Sequence, residues 1–324
     1  MMPDADVFKI IQIDHESFNE NQWTKSNKMS DTVTKVVADL NAAILQKSAR
    51  AIAEVACKYS AADREKVRAQ YRSTYSIELD DHIDKMLKKG DATTIVSNCW
   101  DEIPVLRAKH LSKALKGSID HRALLDLIIM CDREDWNQTI VAFTQQFRKN
   151  LPEEIEKALK STTSYRAFYT TWIKFDRSPR TNINGDALKL KEAFSNKDEQ
   201  TVFNIMSTTV ESEYKAIATQ FEKVAGMTMI QAFAALTTGP LYWALHTAHY
   251  RNVGMNNGAA FLIHHACTSD KKGDVARMTR LSPLLCDKCL NAKNYYSEFG
   301  DMGKDIVNAF GDSVEEVLKV LWRV

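Results

Sequence analysis

A segment that returns at a fixed interval constrains a fold more tightly than composition does, because every copy must adopt the same local structure. Arg50-Ala51-Ile52-Ala53-Glu54-Val55 lies over Arg122-Ala123-Leu124-Leu125-Asp126-Leu127 at an offset of 72 residues. The same offset carries Tyr71, Tyr75, Leu79, Ile83, Leu87 and Trp100 onto Phe143, Phe147, Leu151, Ile155, Leu159 and Trp172 without a gap. Each pair is large and apolar, and spacing by fours is helical, so each set marks the inward stripe of successive helices. A fainter third copy places Val202, Ile205, Phe221, Met229, Phe233 and Tyr250 150 residues beyond the first. A fourth repeats the order in Tyr295, Phe299, Ile306, Phe310 and Trp322, with small deletions. Its apparent opening helix, Ala259 to Cys267, lies further upstream than the others predict, so Thr268 to Pro283 is expected to include an insertion.

The pattern predicts an all-α chain of four units of about 70 residues, each with several short helices: 38–105, 106–175, 187–252 and 253–324. Gly and Pro together make 17 of 324 residues, about half the usual share, which agrees with helices rather than sheets. Residues 1–37 fall outside the period and are mixed and polar, so a tail laid across the body is expected, with Trp23 as its anchor. Residues 176–186, with Pro179, Asn182, Asn184 and Gly185, read as a linker between two pairs of repeats.

Charge and motifs exclude several functions. The net charge is +1 with no long basic block, so nucleic acid is not an expected partner. The most apolar run, Leu124 to Cys131, is interrupted by Asp126 and falls far short of the roughly 20 residues that cross a bilayer. Asp4, Asp6 and Glu16 make the N-terminus unlike a secretory signal, and six cysteines are too few for a disulfide scaffold, so a cytoplasmic protein with free thiols is expected. No Gly-rich phosphate loop, Ser-His-Asp arrangement or His-Glu-X-X-His motif appears, so no enzyme is expected.

Four short segments carry a family likeness. His110-Leu111-Ser112-Lys113-Ala114-Leu115-Lys116-Gly117 leads into an interhelical loop, Asp186-Ala187 with Leu188, Glu192 and Ala193 opens the third copy, and Gly90-Asp91 and Gly311-Asp312 close the first and fourth. With the four-fold repeat and the longer central connection, these segments resemble the annexin family over nearly the whole chain past the tail. The annexin calcium signature, Lys-Gly-X-Gly-Thr with an acid about 40 residues on, is intact in no repeat, and this divergence is similar to the alpha-giardins, annexin relatives associated with membranes and the microtubule cytoskeleton. The resemblance implies five helices per repeat in a curved body, with interhelical loops gathered on one membrane-facing side. It also implies peripheral, calcium-assisted binding to acidic phospholipid. The alternative is a cytoskeletal scaffold with decayed calcium sites, binding tubulin or flagellar partners. Oligomeric state is not legible in the sequence.

Calcium takes six to eight oxygens, commonly from backbone carbonyls, carboxylates and water. Under the resemblance, the first repeat keeps its acid as Asp91, but the facing loop, Gln46-Lys47-Ser48-Ala49, has no glycine and should bind weakly. The second keeps Lys116-Gly117-Ser118-Ile119 but has Thr163 where the first has Asp91. The third offers Ser195-Asn196-Lys197-Asp198 against Thr238-Gly239-Pro240, with no acid. In the fourth, Gly254-Met255-Asn256-Asn257-Gly258 is paired with Asp312, which makes Gly254, Asn256, Gly258 and Asp312 the leading candidate ligands, ahead of Asp91, Lys47 and Ser48. Dissociation constants of about 10⁻⁴ to 10⁻³ M suit such incomplete sites.

Blander readings stand beside these. Gly90-Asp91 and Gly311-Asp312 also suit a helix C-cap followed by an N-cap. Cys286 and Cys289, near His264, His265 and Cys267, lack a recognised zinc spacing and read as buried thiols. Trp100, Trp172 and Trp322 close three copies alike, which favours packing over lipid contact. Asp80-Asp81 and Glu153-Glu154 suit helix N-termini. Lys47, Lys88, Lys89, Lys113 and Lys116 sit in or near the loops, where they meet either solvent or anionic headgroups.

Overall fold

The computed structural model describes residues 19–269 and 272–324, with side chains from Thr32 onward except that of Asp312. Among the described residues, twenty α-helices fall into four sets of five. The first set is α1 (Asn19–Leu45), α2 (Ala49–Lys58), α3 (Ala61–Tyr75), α4 (Leu79–Met86) and α5 (Asp91–Asn98). The second is α6 (Ile103–Ala114), α7 (His121–Leu124, continuing as a π-helical turn over Leu125–Ile129), α8 (Arg133–Phe147), α9 (Leu151–Ala158) and α10 (Thr163–Trp172). The third is α11 (Ile183–Asn196), α12 (Glu199–Thr208), α13 (Glu211–Ala225), α14 (Met229–Leu236) and α15 (Gly239–Val253). The fourth is α16 (Met255–Thr268), α17 (Val275–Leu285), α18 (Ala292–Tyr296), α19 (Met302–Ala309) and α20 (Asp312–Trp322). Among the described residues the one β-type pairing is an isolated bridge from Ser178 to Thr209.

The second helix of every set starts in the same way. Ser48, Asp120, Asp198 and Asp274 accept hydrogen bonds from the backbone N–H three residues on, at Ala51, Ala123, Thr201 and Arg277. Each such cap contributes about 1 kcal/mol. These four caps fix the register of the fourth repeat and correct the expected insertion. Thr268 to Pro283 is the end of α16, a loop as long as the one after α6, and most of α17. The irregularity lies further on, where α18 has five residues against fifteen in α3, α8 and α13. That short helix shifts the inward aromatic by one position. Tyr71, Phe143 and Phe221 are buried as the period requires, but in the fourth repeat Tyr296 is fully buried and Tyr295 is 42% exposed.

Trp100, Trp172 and Trp322 are all core residues. The Trp322 indole donates to Ser282 Oγ at 3.0 Å, so the repeated position serves packing. Two boundaries differ from expectation. Residues 19–37 are part of α1, whose buried stripe of Val36, Val37, Leu40, Ala43 and Ile44 continues through position 38 without a break. Residues 1–18 and the Trp23 side chain lie outside the described residues. In the linker, Asn182 accepts from Gly185 N at 2.8 Å and thereby starts α11, so Asn-Gly here marks a helix N-terminus rather than a loop.

Side-chain clamps show how the helices run. Arg64 donates to the carbonyls of Ala56, Tyr59 and Cys99, tying the C-terminal ends of α2 and α5 together. Cys57 Sγ lies against the Val320 carbonyl and Arg323 donates to the Cys286 carbonyl, which brings the ends of α2, α17 and α20 to the same side. Asn252 donates to the Met206 carbonyl and does the same for α12 and α15. At the opposite side the N-terminal ends meet. The His121 and Tyr165 rings are 4.8 Å apart at the starts of α7 and α10, and Arg122 pairs with Asp274 at the start of α17. A depression is lined together by His121, Thr163, Glu199 and Pro240, which stand at the starts of α7, α10, α12 and α15. The loops that lead into the second and fifth helices of the repeats therefore gather on one side of the molecule. Between the second and fourth repeats the fully buried Asp126, in the π-turn, accepts from Arg277 at 2.9 Å and Arg280 at 2.8 Å.

Candidate functional site

The loop between the first two helices of each repeat contains one residue in the left-handed region: Lys47 (φ 55°), Gly117 (φ 73°), Lys197 (φ 55°) and Gly273 (φ 66°). The turn that exposes carbonyls is thus present in all four repeats, although only two use glycine. In the first repeat the carbonyls of Gln46 and Lys47 accept no hydrogen bond among the described residues. Lys47 is exposed, and Ser48 spends its hydroxyl as the cap of α2. Because α2 and α5 run in parallel from this side, Asp91 starts at the same end as Lys47 and Ser48. Its carboxylate is exposed and makes no ion pair or hydrogen bond among the described residues.

The capping alternative holds in a shifted form, each glycine capping a helix start and each aspartate standing one residue inside it. Gly90 has φ 166°, which is extended backbone, and it is itself the N-cap of α5, while Asp91 is the first helical residue. Gly311 and Asp312 take the same places at α20, with Gly311 at φ −77°. Neither glycine uses the left-handed conformation of a C-cap, and neither aspartate is the N-cap.

The fourth repeat corrects the expected pairing. Gly254, Asn256 and Gly258 lie at the start of α16, where Asn256 Oδ1 accepts from Asn291 N at 3.2 Å and Cys289 Sγ lies 3.7 Å from the Met255 carbonyl. That is the end at which α17 and α20 finish. Gly258 packs on Met130 and the Arg251 backbone inside the helix. Asp312 begins α20 at the other end, roughly 20 Å away along α16. The loop that faces Asp312 is the one holding Gly273. A Cβ on Gly273 would come within 2.7 Å of the Phe310 ring and 3.0 Å of the Ala309 carbonyl, so this loop presses directly on the segment leading into Asp312. The Asp312 side chain and residues 270–271 of this loop lie outside the described structure. The sequence signal was available: Gly273-Asp274 precedes the second helix just as Lys47-Ser48 and Lys197-Asp198 do.

In the second repeat, Thr163 is exposed at the start of α10 and brings no charge to the Lys116-Gly117-Ser118 loop. The third has Gly239 and Pro240 at the corresponding end of α15. Lys47, Lys88, Lys89, Lys113 and Lys116 are all exposed. Asp80 pairs with Arg68, and Glu154 with Lys149 at 2.8 Å. Cys286 and Cys289 are buried thiols, and burial pushes Cys289 up to about 12. Among the described residues no three His, Cys, Asp or Glu side chains converge as a metal cage. A hard cation here would draw on carbonyls, one carboxylate and outside oxygens.

Comparison with known proteins agrees with this architecture. Residues 259–323 match the sequence pattern of the fourth repeat of annexin E1. Giardin subunit alpha-3 of Giardia intestinalis is 93% identical over 296 residues, which cover 91% of this chain and 100% of that protein. The crystal structure of calcium-bound alpha-1 giardin superposes with a TM-score of 0.86 at 35% identity, covering 90% of this chain and 99% of that one. Annexin III shares the fold, with a TM-score of 0.76 at 16% identity over 90% of this chain and 94% of its own.

Proposed function

The chain belongs to the alpha-giardins, within the annexin superfamily, and from that premise we propose that it binds acidic phospholipid surfaces peripherally, with calcium as the bridge. The observation that carries this reading is the first-repeat pairing of an unpartnered, exposed Asp91 with free loop carbonyls at Gln46 and Lys47 on the same side of the molecule. A calcium ion held by those oxygens keeps coordination positions open for water and for phosphate oxygens of lipid. Asp312, the first residue of α20 beside the loop that holds Gly273, is the second carboxylate assigned to this role. Exposed Lys47, Lys88, Lys89, Lys113 and Lys116 add attraction for anionic headgroups, about 1 kcal/mol each close to the surface. No described helix is long and apolar enough to cross a membrane, which accords with attachment from outside the bilayer.

Sedimentation with phosphatidylserine vesicles at graded calcium and in chelator tests the reading. Pelleting that needs calcium, with a midpoint raised at least tenfold in the Asp91→Ala, Asp312→Ala double variant, is expected. Protein that stays in the supernatant at every calcium level and instead sediments with microtubules would replace this reading with the cytoskeletal scaffold.

A further inference from the structure

A cavity of about 780 Å³ opens between the second, third and fourth repeats, beside the loop face. Its walls are aromatic. Tyr250 on α15 and Phe261 on α16 stack at 4.6 Å with planes 8° apart, and His246 lies 4.5 Å from Phe261. Trp243, 39% exposed, stands at the wall with its ring edge-on to His265 at 4.4 Å. A volume of this size suits a compact organic molecule, since such sites typically span about 300–1,000 Å³.

The polar part of the lining is unusual in being unpaired. Arg277 Nη1, His121 Nδ1, His246 Nδ1, His265 Nδ1 and Ser269 Oγ are buried atoms with no hydrogen-bond partner, and all five residues line this one cavity. They make up five of the eleven such atoms among the described residues, so the deficit is concentrated here. Arg277 is 2% exposed. Its Nε is held by Asp126, which leaves Nη1 as a donor with nothing to meet. Buried polar atoms are costly to leave unpaired; Arg277 Nη1 can only donate, and the imidazole nitrogens and the Ser269 hydroxyl can donate as well as accept, so together they suit an acceptor that arrives from outside. Arg122 adds a second guanidinium at the lining; its partner Asp274 and Arg277's partner Asp126 stand behind the wall, and no Asp or Glu belongs to the lining among the described residues. Donors without carboxylates favour a negatively charged guest.

We propose that this cavity binds a planar aromatic anion, with its ring between Trp243, Tyr250 and Phe261 and its acidic group on Arg277 Nη1 and the neighbouring imidazole nitrogens. Carboxylate, sulfonate and phosphate meet the same requirement, two or three oxygens directed at an arginine fork. The site is separate from the first-repeat calcium position, since Asp91 and Lys47 take no part in the lining, while Ser269 links it to the loop that holds Gly273.

8-Anilinonaphthalene-1-sulfonate, titrated into the full chain and followed by fluorescence and calorimetry, is the probe. One saturable site per chain is expected, with the uncharged N-phenyl-1-naphthylamine bound at least tenfold more weakly. Trp243→Ala, at the partly exposed wall, and Arg277→Gln should each weaken the sulfonate at least tenfold while circular dichroism remains helical. Should Arg277→Gln fail to fold, Trp243→Ala and the uncharged probe still decide the matter. No saturable binding, equal affinity for the two probes, or undiminished affinity in Trp243→Ala would show that water alone fills the cavity and would overturn the proposal.

Discussion

The two ends of the repeat helices are built on different principles. Where the second and fifth helices of each repeat finish, an arginine closes the end: Arg64 on Ala56, Tyr59 and Cys99, Arg133 on Phe175, Arg177 on Thr209, and Arg323 on Cys286. Each donates to carbonyls at or just past a helix end, and at Ala56 and Phe175 it shares the oxygen with a backbone N–H. Arg64 also pairs with Asp287 at 2.6 Å, joining the first repeat to the fourth, and Arg177 stacks over Trp172 at 4.7 Å. At the other end, among the described residues, the carbonyls of Gln46 and Lys47 accept no hydrogen bond and Asp91 makes no ion pair. Identical chemical groups are thus consumed internally on one side and left for an outside partner on the other.

The largest effect is expected from the closed side. Arg64→Ala removes donors to three carbonyls and strands Asp287, which should lower unfolding free energy by about 3 kcal/mol in urea titration while leaving the calcium midpoint of vesicle binding unchanged. A shifted calcium midpoint would show that the two ends are coupled. The open side should behave inversely: Asp91→Ala alters calcium response but changes stability by no more than about 0.5 kcal/mol in the same titration, as exposed sites do. The contrast sharpens in the second repeat, where Thr163→Asp places a carboxylate opposite the Lys116-Gly117-Ser118 loop; isothermal calorimetry should then detect added calcium heat, with a several-fold gain in affinity. The smallest change is Lys47→Gly. Relief of a left-handed non-glycine residue should raise the thermal midpoint, by an amount equivalent to about 1 kcal/mol or less, since the loop already holds the required backbone.

The fold was readable because large apolar residues at helical spacing leave few alternatives, and the 72-residue offset needed no gap from Ile52 to Trp172. The loops were less readable, for a physical reason. A carbonyl-exposing turn was sought through glycine, whereas Lys47 and Lys197 reach the same dihedral because a helix N-cap, Ser48 or Asp198, follows immediately and holds the turn. In the fourth repeat, glycine density pointed to Gly254 and Gly258, but Gly258 serves close packing on Met130 and Arg251. The shift from Tyr295 to Tyr296 came from a helix too short to show periodicity. The aromatic cavity had no linear signature, because its walls and donors come from three repeats.

Eight helices, two from each repeat, begin on the side where the loops gather. Aligned peptide dipoles give each helix start the equivalent of roughly half a positive charge. The same loops bring the ends of the first and fourth helices of each repeat to this side, and those ends carry the opposite partial charge, so in a chain whose formal charge is only +1 the backbone dipoles largely cancel across the face. The divalent ion must then bring the positive charge itself, so in chelator only the exposed lysines are left to draw the face toward an anionic surface.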